Sequence, residues 1–148
     1  MRDPKYTIYS GSDLVVANVI TQLIRAGFGV YVNFEFHRAN YNQGTGELLS
    51  HRVSKGPEVP PSRMKRIQLG MLKRSMHDAL ITGIDIDLST GQLRRLKVKN
   101  SWGAEGDMDA SQGMSGGHKE FLTMDAGYFR EFVHHIVFTR DLPIRMPR

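Results

Sequence analysis

Apolar residues recur along the first part of the chain in two successive patterns, which predict a helix and then a strand. From Ser12 or Asp13, either of which can cap a helix, to about residue 26, they share one broad helical face. The residues on that face are Leu14, Val15, Val16, Val19, Ile20, Leu23 and Ile24. Over residues 28–36 apolar and other residues alternate with period two, which is typical of a strand with one face more buried than the other.

The rest of the chain predicts further strands separated by turns. Four stretches have strand-like apolar residues: 76–87, 92–98, 121–124 and 132–139. The first two are predicted to form a hairpin around a turn at residues 89–91, and Asp125 is placed to cap a short turn or helix. Residues 37–69 show no clear period, and flexible loops are expected at about 54–66 and 104–117.

One N-terminal helix followed by about five strands indicates an α+β fold with an antiparallel, partly closed sheet. The length of 148 residues suits a single domain over residues 1–148, and the hydrophobic fraction of 40% is near the globular average. No apolar run approaches the roughly 18 residues of a membrane-spanning helix, and the first residues lack a secretory signal. We therefore expect a cytoplasmic protein that makes no membrane contact.

Basic residues are concentrated in two places. The net charge is +5, and residues 52–74 include seven basic residues against one acidic residue, Glu58. A second basic run lies within residues 94–99. Because aromatic residues do not alternate with these charges, the pattern favours a solvated loop and the exposed side of a strand. Binding of nucleic acid or an acidic partner is the alternative interpretation.

The candidate chemistry depends on histidine, since the chain contains no cysteine. That composition excludes disulfides, thiolate zinc sites and a cysteine nucleophile carried by this chain. His134 and His135 are adjacent, and neighbours on a strand face opposite ways, so we predict no metal site there. His37 and His51 have no ligand-like spacing with other residues. His77, at the start of a predicted strand, is the histidine with an informative context.

Three motifs in a fixed order give His77 that context. Asn100 follows His77 by 23 residues within the sequence Lys99-Asn100-Ser101-Trp102-Gly103. Farther along come Gly117-His118-Lys119 and then Tyr128-Phe129-Arg130-Glu131-Phe132-Val133. This order resembles the C-terminal half of papain-fold cysteine peptidases, and within them the bleomycin hydrolase (aminopeptidase C) family. The match is clearest over residues 75–143 and looser over residues 13–36.

The resemblance implies the barrel-like half of the papain fold and two members of a catalytic triad. His77 would be the general acid and base, and Asn100 would hydrogen-bond its ring and fix its orientation. Trp102 would pack over that hydrogen bond. The implied activity is thiol-dependent hydrolysis of N-terminal amino acids from peptides, with no metal and no cofactor.

The sequence also departs from the family. The family's nucleophilic cysteine belongs to an N-terminal half that has no counterpart here, and Asp78 and Glu120 replace a small residue and a glycine. We therefore expect a chain that is inactive alone and binds another protein chain through the His77 face. Apolar residues of strands 28–36 and 76–86 are expected to contribute to that face. Peptide would be the substrate once a cysteine-bearing half is supplied.

Two other functions remain open at the level of sequence. The chain could be a non-catalytic peptidase domain that serves as a scaffold subunit of a larger assembly. It could also be a basic nucleic-acid-associated protein that uses residues 52–74. A companion chain that carries a cysteine distinguishes the first expectation from the second, and salt-dependent binding identifies the third.

Overall fold

The computed structural model of the chain describes residues 5–8, 13–60, 62–100 and 121–139, of which 5–8, 13, 14, 74, 100 and 139 are described by their backbone. The described strands are β1 (Lys5–Ile8), β2 (Gly29–Glu35), β3 (Tyr41–Asn42), β4 (Glu47–Leu48), β5 (Met76–Ile86), β6 (Leu93–Asn100), β7 (Phe121–Asp125) and β8 (Val133–Thr139). The described helices are α1 (Asp13–Arg25), α2 (Arg63–Gln68), α3 (Leu72–Ser75) and α4 (Ala126–Phe132), with a 3₁₀ turn at Arg38–Asn40.

The strands form a single mixed sheet in the order β1-β8-β2-β5-β6-β7-β4-β3. Every neighbouring pair is antiparallel except β4 and β7, which are parallel. The predicted α+β class with a helix near the start is therefore confirmed. Within the described residues the sheet is open rather than closed, since β1 lies at one end and β3 at the other.

Helix α1 packs on the apolar face of the central strands. It buries Val16, Ala17 and Ile20 and contacts β2, β5 and β6. Alternate residues of β2 meet it from the sheet, because the pleat sends every second side chain to the same face. These residues are Val30, Val32 and Phe34, and each is fully buried. The predicted helix and the predicted alternating strand are thus both present, and together they form the core.

The hairpin of β5 and β6 and the capped helix near the C-terminal strand agree with the sequence patterns. The turn between β5 and β6 is closed by hydrogen bonds to Asp87 from Ser89 and from Gly91, whose φ of 75° suits a glycine. Asp125 is the N-cap of α4, where its carboxylate accepts a hydrogen bond from the Tyr128 amide at 2.7 Å.

Helix α2 corrects the prediction for the basic stretch. Residues 63–66, expected in a flexible loop, belong to a helix whose N-cap Ser62 accepts a hydrogen bond from the Lys65 amide. Arg66 on this helix is fully buried, whereas the basic residues were predicted to be solvated. The physical reason is an ionic partner in the interior, Glu35, which the alternation over residues 28–36 places on the less apolar side of its strand. The expected loop at 104–117 lies outside the described residues.

Candidate functional site

His77 is the second residue of β5, and its ring is held between aromatic residues of the neighbouring strand. Its backbone pairs with Phe34 of β2. The ring centroid is 6.4 Å from that of Phe34 and 6.1 Å from that of Phe36, the latter in a perpendicular arrangement. Both phenylalanines are buried, so the imidazole is surrounded by apolar surface on the core side of the sheet.

This apolar environment determines the charge of His77. Burial lowers the pKa of the imidazole from its usual 6.5 to about 4, and the nearby Asp78 carboxylate opposes the shift only partly. His77 is therefore neutral near pH 7. A neutral imidazole can accept a proton, and a negative charge placed beside it would raise its pKa again.

Asn100 is the last residue of β6, the strand next to β5. Its backbone pairs with Ala79, which is two residues along β5 from His77. The expectation that His77 and Asn100 lie on neighbouring strands of one hairpin is therefore met by the backbone. The hydrogen bond between the two side chains stays a prediction, because residue 100 is described by its backbone. Trp102 lies outside the described residues.

Asp78, the residue after His77, belongs to the opposite face of the sheet. Its side chain is exposed and accepts a hydrogen bond from the Asn33 amide group at 2.8 Å. The two residues are also paired across β2 and β5. Asp78 is thus held on the opposite face by its own partner, and its charge raises the pKa of His77.

A second, more polar site lies around Glu35, and the sequence reasoning missed it. Glu35 is the last residue of β2 and its side chain is fully buried. Its carboxylate accepts hydrogen bonds from Arg66 Nε at 2.7 Å and Arg66 Nη2 at 3.3 Å. Nε2 of His37 lies 2.8 Å from one carboxylate oxygen, and Nε2 of His134 lies 2.6 Å from the other. We refer to Glu35, His37, Arg66 and His134 as the Glu35 cluster.

A β-bulge explains how His134 enters the Glu35 cluster. Asn33 pairs with His135, whereas the next residue, Phe34, pairs with Val133, so the register leaves His134 as the extra residue of β8. Such a bulge redirects a side chain out of the regular alternation. The rule that adjacent strand residues face opposite ways therefore could not place His134 from the sequence.

Arg66 connects the Glu35 cluster to two other parts of the chain, the segment before α2 and helix α4. Its guanidinium donates to the carbonyl oxygens of Pro60 and Glu131 at 2.9 and 3.0 Å. It also pairs with the partly exposed Glu131 carboxylate at 3.1 Å and lies 4.6 Å from the ring centroid of Phe132. A planar guanidinium with five donors suits this many simultaneous partners, which a lysine could not satisfy.

Tyr128 adds a backbone connection to the same region. Its buried hydroxyl donates to the carbonyl oxygen of Glu35 and accepts from the His37 amide at 3.1 Å. Burial raises the pKa of Tyr128 above its usual value, so the phenol stays protonated as that donor. The phenol therefore fixes α4 against the end of β2.

Electrostatics makes the Glu35 cluster a site of fixed charge. Burial alone would raise the pKa of Glu35, but hydrogen bonds from His37, Arg66 and His134, with the charge of Arg66, outweigh it and lower the pKa to about 2. The positive partner of the carboxylate is the guanidinium. The described part of the chain has no group of three or more metal-ligating side chains with suitable geometry.

The exposed apolar residues do not lie on the face that the sequence predicted. The apolar side chains of β2 and β5 near His77 pack inside the chain's own core, because α1 and the neighbouring strands cover them. Large exposed apolar side chains occur singly elsewhere, as at Leu88, and three of them lie on and just after α2: Met64 is 62% exposed, Ile67 45% and Leu69 55%. We call these three residues the α2 apolar surface.

The second basic run lies on the exposed side of β6, as predicted. Arg95, Lys97 and Lys99 are all exposed, and Lys97 lies 5.0 Å from the ring centroid of Phe121 on β7. Among the described residues no helix is both long and apolar enough to cross a membrane.

Comparisons with known proteins agree with the motifs. The model of the Peptidase C1-like family matches residues 7–144 of the chain. Aminopeptidase W of Lactobacillus delbrueckii subsp. lactis is 37% identical over 75 residues, which are 51% of this chain and 14% of that protein. The crystal structure of PepW from Lactobacillus rhamnosis HN001 matches with a TM-score of 0.58 and 21% identity, over 87% of this chain and 27% of that one. The chain thus spans a small part of the length of both relatives.

Proposed function

Because the chain belongs to the Peptidase C1-like family, as its bleomycin hydrolase-like motifs indicated, we propose that it supplies the histidine and asparagine of a cysteine aminopeptidase site. The observation that carries the proposal is the position of His77. Its neutral imidazole is held at the start of β5, and the backbone of Asn100 lies on the adjacent strand. The chain contains no cysteine, so the thiol must come from a companion chain or from a separate half.

In the proposed reaction the companion supplies the nucleophile, and this chain supplies the proton-transfer group and its orienting asparagine. A cysteine thiolate of the companion attacks the peptide carbonyl, a C–S bond forms, and His77 gives its proton to the leaving amine as the C–N bond breaks. Water then attacks the thioester, His77 takes the water proton, and the thiolate leaves with the acid product released. Asn100 holds the imidazole in one orientation throughout both steps.

The electrostatics of His77 fits an assembly-dependent site. In the chain alone the imidazole is neutral, because its apolar surroundings lower its pKa to about 4. A thiolate next to the ring would stabilise the imidazolium and raise that pKa, while the imidazolium would lower the pKa of the thiol. The ion pair that makes a reactive thiolate would therefore form only when the two parts come together.

The substrate and the docking surface follow from the same proposal. Removal of N-terminal residues from peptides is the activity we propose, since the curated relative is described as an aminopeptidase. The companion would cover the His77 side and extend over the α2 apolar surface, which precedes α3 and β5 in the chain. A stable contact of this kind buries more than about 1,000 Å².

The first test uses the purified chain with an aminoacyl fluorogenic substrate and with iodoacetamide. We expect no hydrolysis and no labelling, because the chain carries no thiol. Thiol-dependent turnover by the homogeneous chain would contradict the proposal.

The second test uses the complex isolated from the source cells through this chain. We expect a cysteine-bearing chain to co-purify, and peptide hydrolysis by the complex to be lost in His77→Ala. His51→Ala is the matched control, because His51 is exposed and belongs to neither site. Equal loss in both variants, or full activity in His77→Ala, would refute a role for His77.

The alternative is a scaffold subunit of a larger assembly. The absence of cysteine from the chain favours it. In that case the complex would form through the same surface, but it would contain no iodoacetamide-reactive thiol and would not hydrolyse peptides.

A further inference from the structure

Three consecutive residues at the end of β2 and just after it touch both sites. Phe34 and Phe36 pack against the His77 ring, and Glu35, which lies between them in the sequence, sends its carboxylate into the Glu35 cluster. The backbone of Glu35 also pairs with Met76, the residue before His77. A shift of Glu35 therefore moves residues that contact His77 from two directions.

A second connection runs through the helices that precede β5. The Met71 amide donates to the carbonyl oxygen of Arg66 at 3.0 Å, and the Ser75 hydroxyl donates to the carbonyl oxygen of Met71 at 2.7 Å. The Phe36 amide then donates to the carbonyl oxygen of Ser75 at 2.7 Å. This series of hydrogen bonds leads from Arg66 to the backbone immediately before β5.

Both connections meet at the ion pair of Glu35 and Arg66, whose side chains are each 0% exposed. We propose that Glu35 and Arg66 are positioning residues for His77: their ion pair fixes α2 against β2 and so shapes the apolar pocket that holds the imidazole. The proposal rests on the proposed function only in treating His77 as the reactive group. The effect of the ion pair on the His77 pocket is a property of the chain by itself.

The chemistry of the pair supports positioning as well as stability. A buried ion pair contributes little net free energy of folding, because desolvation of the charges offsets their attraction. It does, however, restrict geometry, since the guanidinium donates hydrogen bonds to Glu35, Pro60 and Glu131 at once. Small displacements that an apolar contact would tolerate are therefore resisted here.

The experiment is an NMR titration of the His77 ring in the full chain, well below its unfolding temperature. In Glu35→Gln we expect the pKa of His77 to rise by about one unit or more, because a loosened pocket admits water to the ring. Removal of the Glu35 charge alone would act in the opposite direction, since the imidazolium would lose a favourable carboxylate. Asp78, the charged residue beside His77, is unchanged in every variant.

The matched control is Glu58→Gln, which makes the same change of charge at an exposed position. It is expected to leave the pKa of His77 unaltered. Glu35→Asp keeps the charge with a shorter side chain, and we expect it to recover part of the native pKa. An unaltered pKa of His77 in a folded Glu35→Gln chain would overturn the proposal, even if the variant unfolds at a lower temperature.

A second variant covers the case in which Glu35→Gln does not fold. Glu35→Gln combined with Arg66→Met removes both charges, so no unpaired charge remains buried. We expect this chain to fold and to show the same rise of the His77 pKa. A pKa within about 0.3 units of the native value would overturn the proposal. Because the titration needs neither a companion chain nor turnover, its outcome is separate from that of the proposed function.

Discussion

The two sides of β2 differ in the charge of the ionisable group that each one buries. On the core side, His77 lies between Phe34 and Phe36, and burial holds it neutral by lowering its pKa to about 4. On the other side, Glu35 is more deeply buried than His77 but stays charged, because an arginine and two histidines donate to it. Burial alone thus does not decide the charge of a side chain.

His77 and Glu35 therefore differ in how readily their charge can change. His77 is set by apolar contacts, so a charge brought to it from outside can change its protonation. The carboxylate of the Glu35 cluster has its hydrogen-bonding positions taken by fixed donors, so it resists such change. His77, whose protonation a partner can change, therefore lies next to the Glu35 cluster, whose charge stays fixed.

The largest loss of stability is expected when the Glu35 cluster loses its arginine. Arg66→Ala leaves the Glu35 carboxylate buried without its main cation, and we expect a loss of about 3–5 kcal/mol in the free energy of unfolding. Urea denaturation followed by circular dichroism measures it. Lys65→Ala on the same helix is the control, because Lys65 is exposed, and it should change stability by less than about 0.5 kcal/mol. A loss below about 1 kcal/mol in Arg66→Ala would contradict the structure.

Acid should distinguish the two sides by the pH at which each loses its contribution. The folded chain holds His77 unprotonated down to about pH 4, whereas the unfolded chain protonates it near 6.5, so stability falls as pH drops through that window. We expect a loss of about 2 kcal/mol there, allowing for partial exposure of the ring. Glu35 has a folded pKa of about 2, so its contribution is lost only between about pH 4.5 and 2.

Urea midpoints measured at intervals from pH 7 to pH 2.5 test this order. His77→Gln should remove the slope between pH 6.5 and 4 and leave the lower one, whereas His51→Gln should leave both. A native slope that persists in His77→Gln would assign the upper window to another group.

Gly127→Ala tests the attachment of α4, which brings Tyr128 and Glu131 to the polar side. A Cβ at residue 127 would lie 2.5 Å from Cβ of Ser50, too close for the backbone to stay in place. We expect a loss of about 1–3 kcal/mol in unfolding free energy, despite the better helix propensity of alanine. Ser50→Gly in the same chain should restore most of it, and Ser50→Ala, which keeps the Cβ, should not. Rescue by both would contradict the steric explanation.

The smallest loss of stability is expected from a conservative change in the apolar pocket around His77. Phe36→Leu keeps the pocket apolar, so we expect a loss below about 1.5 kcal/mol together with a rise of a fraction of a unit in the pKa of His77. Calorimetry and NMR titration measure the two quantities. Phe121→Leu, at an exposed aromatic residue on β7, should leave the pKa unchanged. A change of the same size in both variants would show that the pocket of His77 is not specific.

Much of the fold could be predicted from the sequence because its long elements follow simple periods. The apolar face of α1, the alternation in β2 and the turn before β6 each carry a local signal. β1, β3 and β4 could not be predicted, since strands of four or two residues are too short to show alternation. Helix α2 reverses the usual pattern, because it buries an arginine and exposes Met64 and Ile67.

His77 and Asn100 could be predicted because they belong to motifs that follow one another in a fixed order. The Glu35 cluster could not, because its residues are far apart in the sequence. The motif around Asn100 and the spacing to His77 placed two residues on adjacent strands, as the register shows. The Glu35 cluster joins residues from β2, α2 and β8 through a bulge, so no local pattern reveals it. A glutamate at an alternating strand position looks solvent-exposed until its arginine partner, 31 residues away, is known.

The outer strands of the sheet bear on how the chain behaves at high concentration. A strand with unpaired backbone groups can recruit another chain and extend the sheet, and long flat edges do so most readily. Within the residues that the structure describes, the terminal strands are β1, with four residues, and β3, with two. Such short edges offer few amide and carbonyl groups in a row, so strand addition at β1 or β3 is disfavoured.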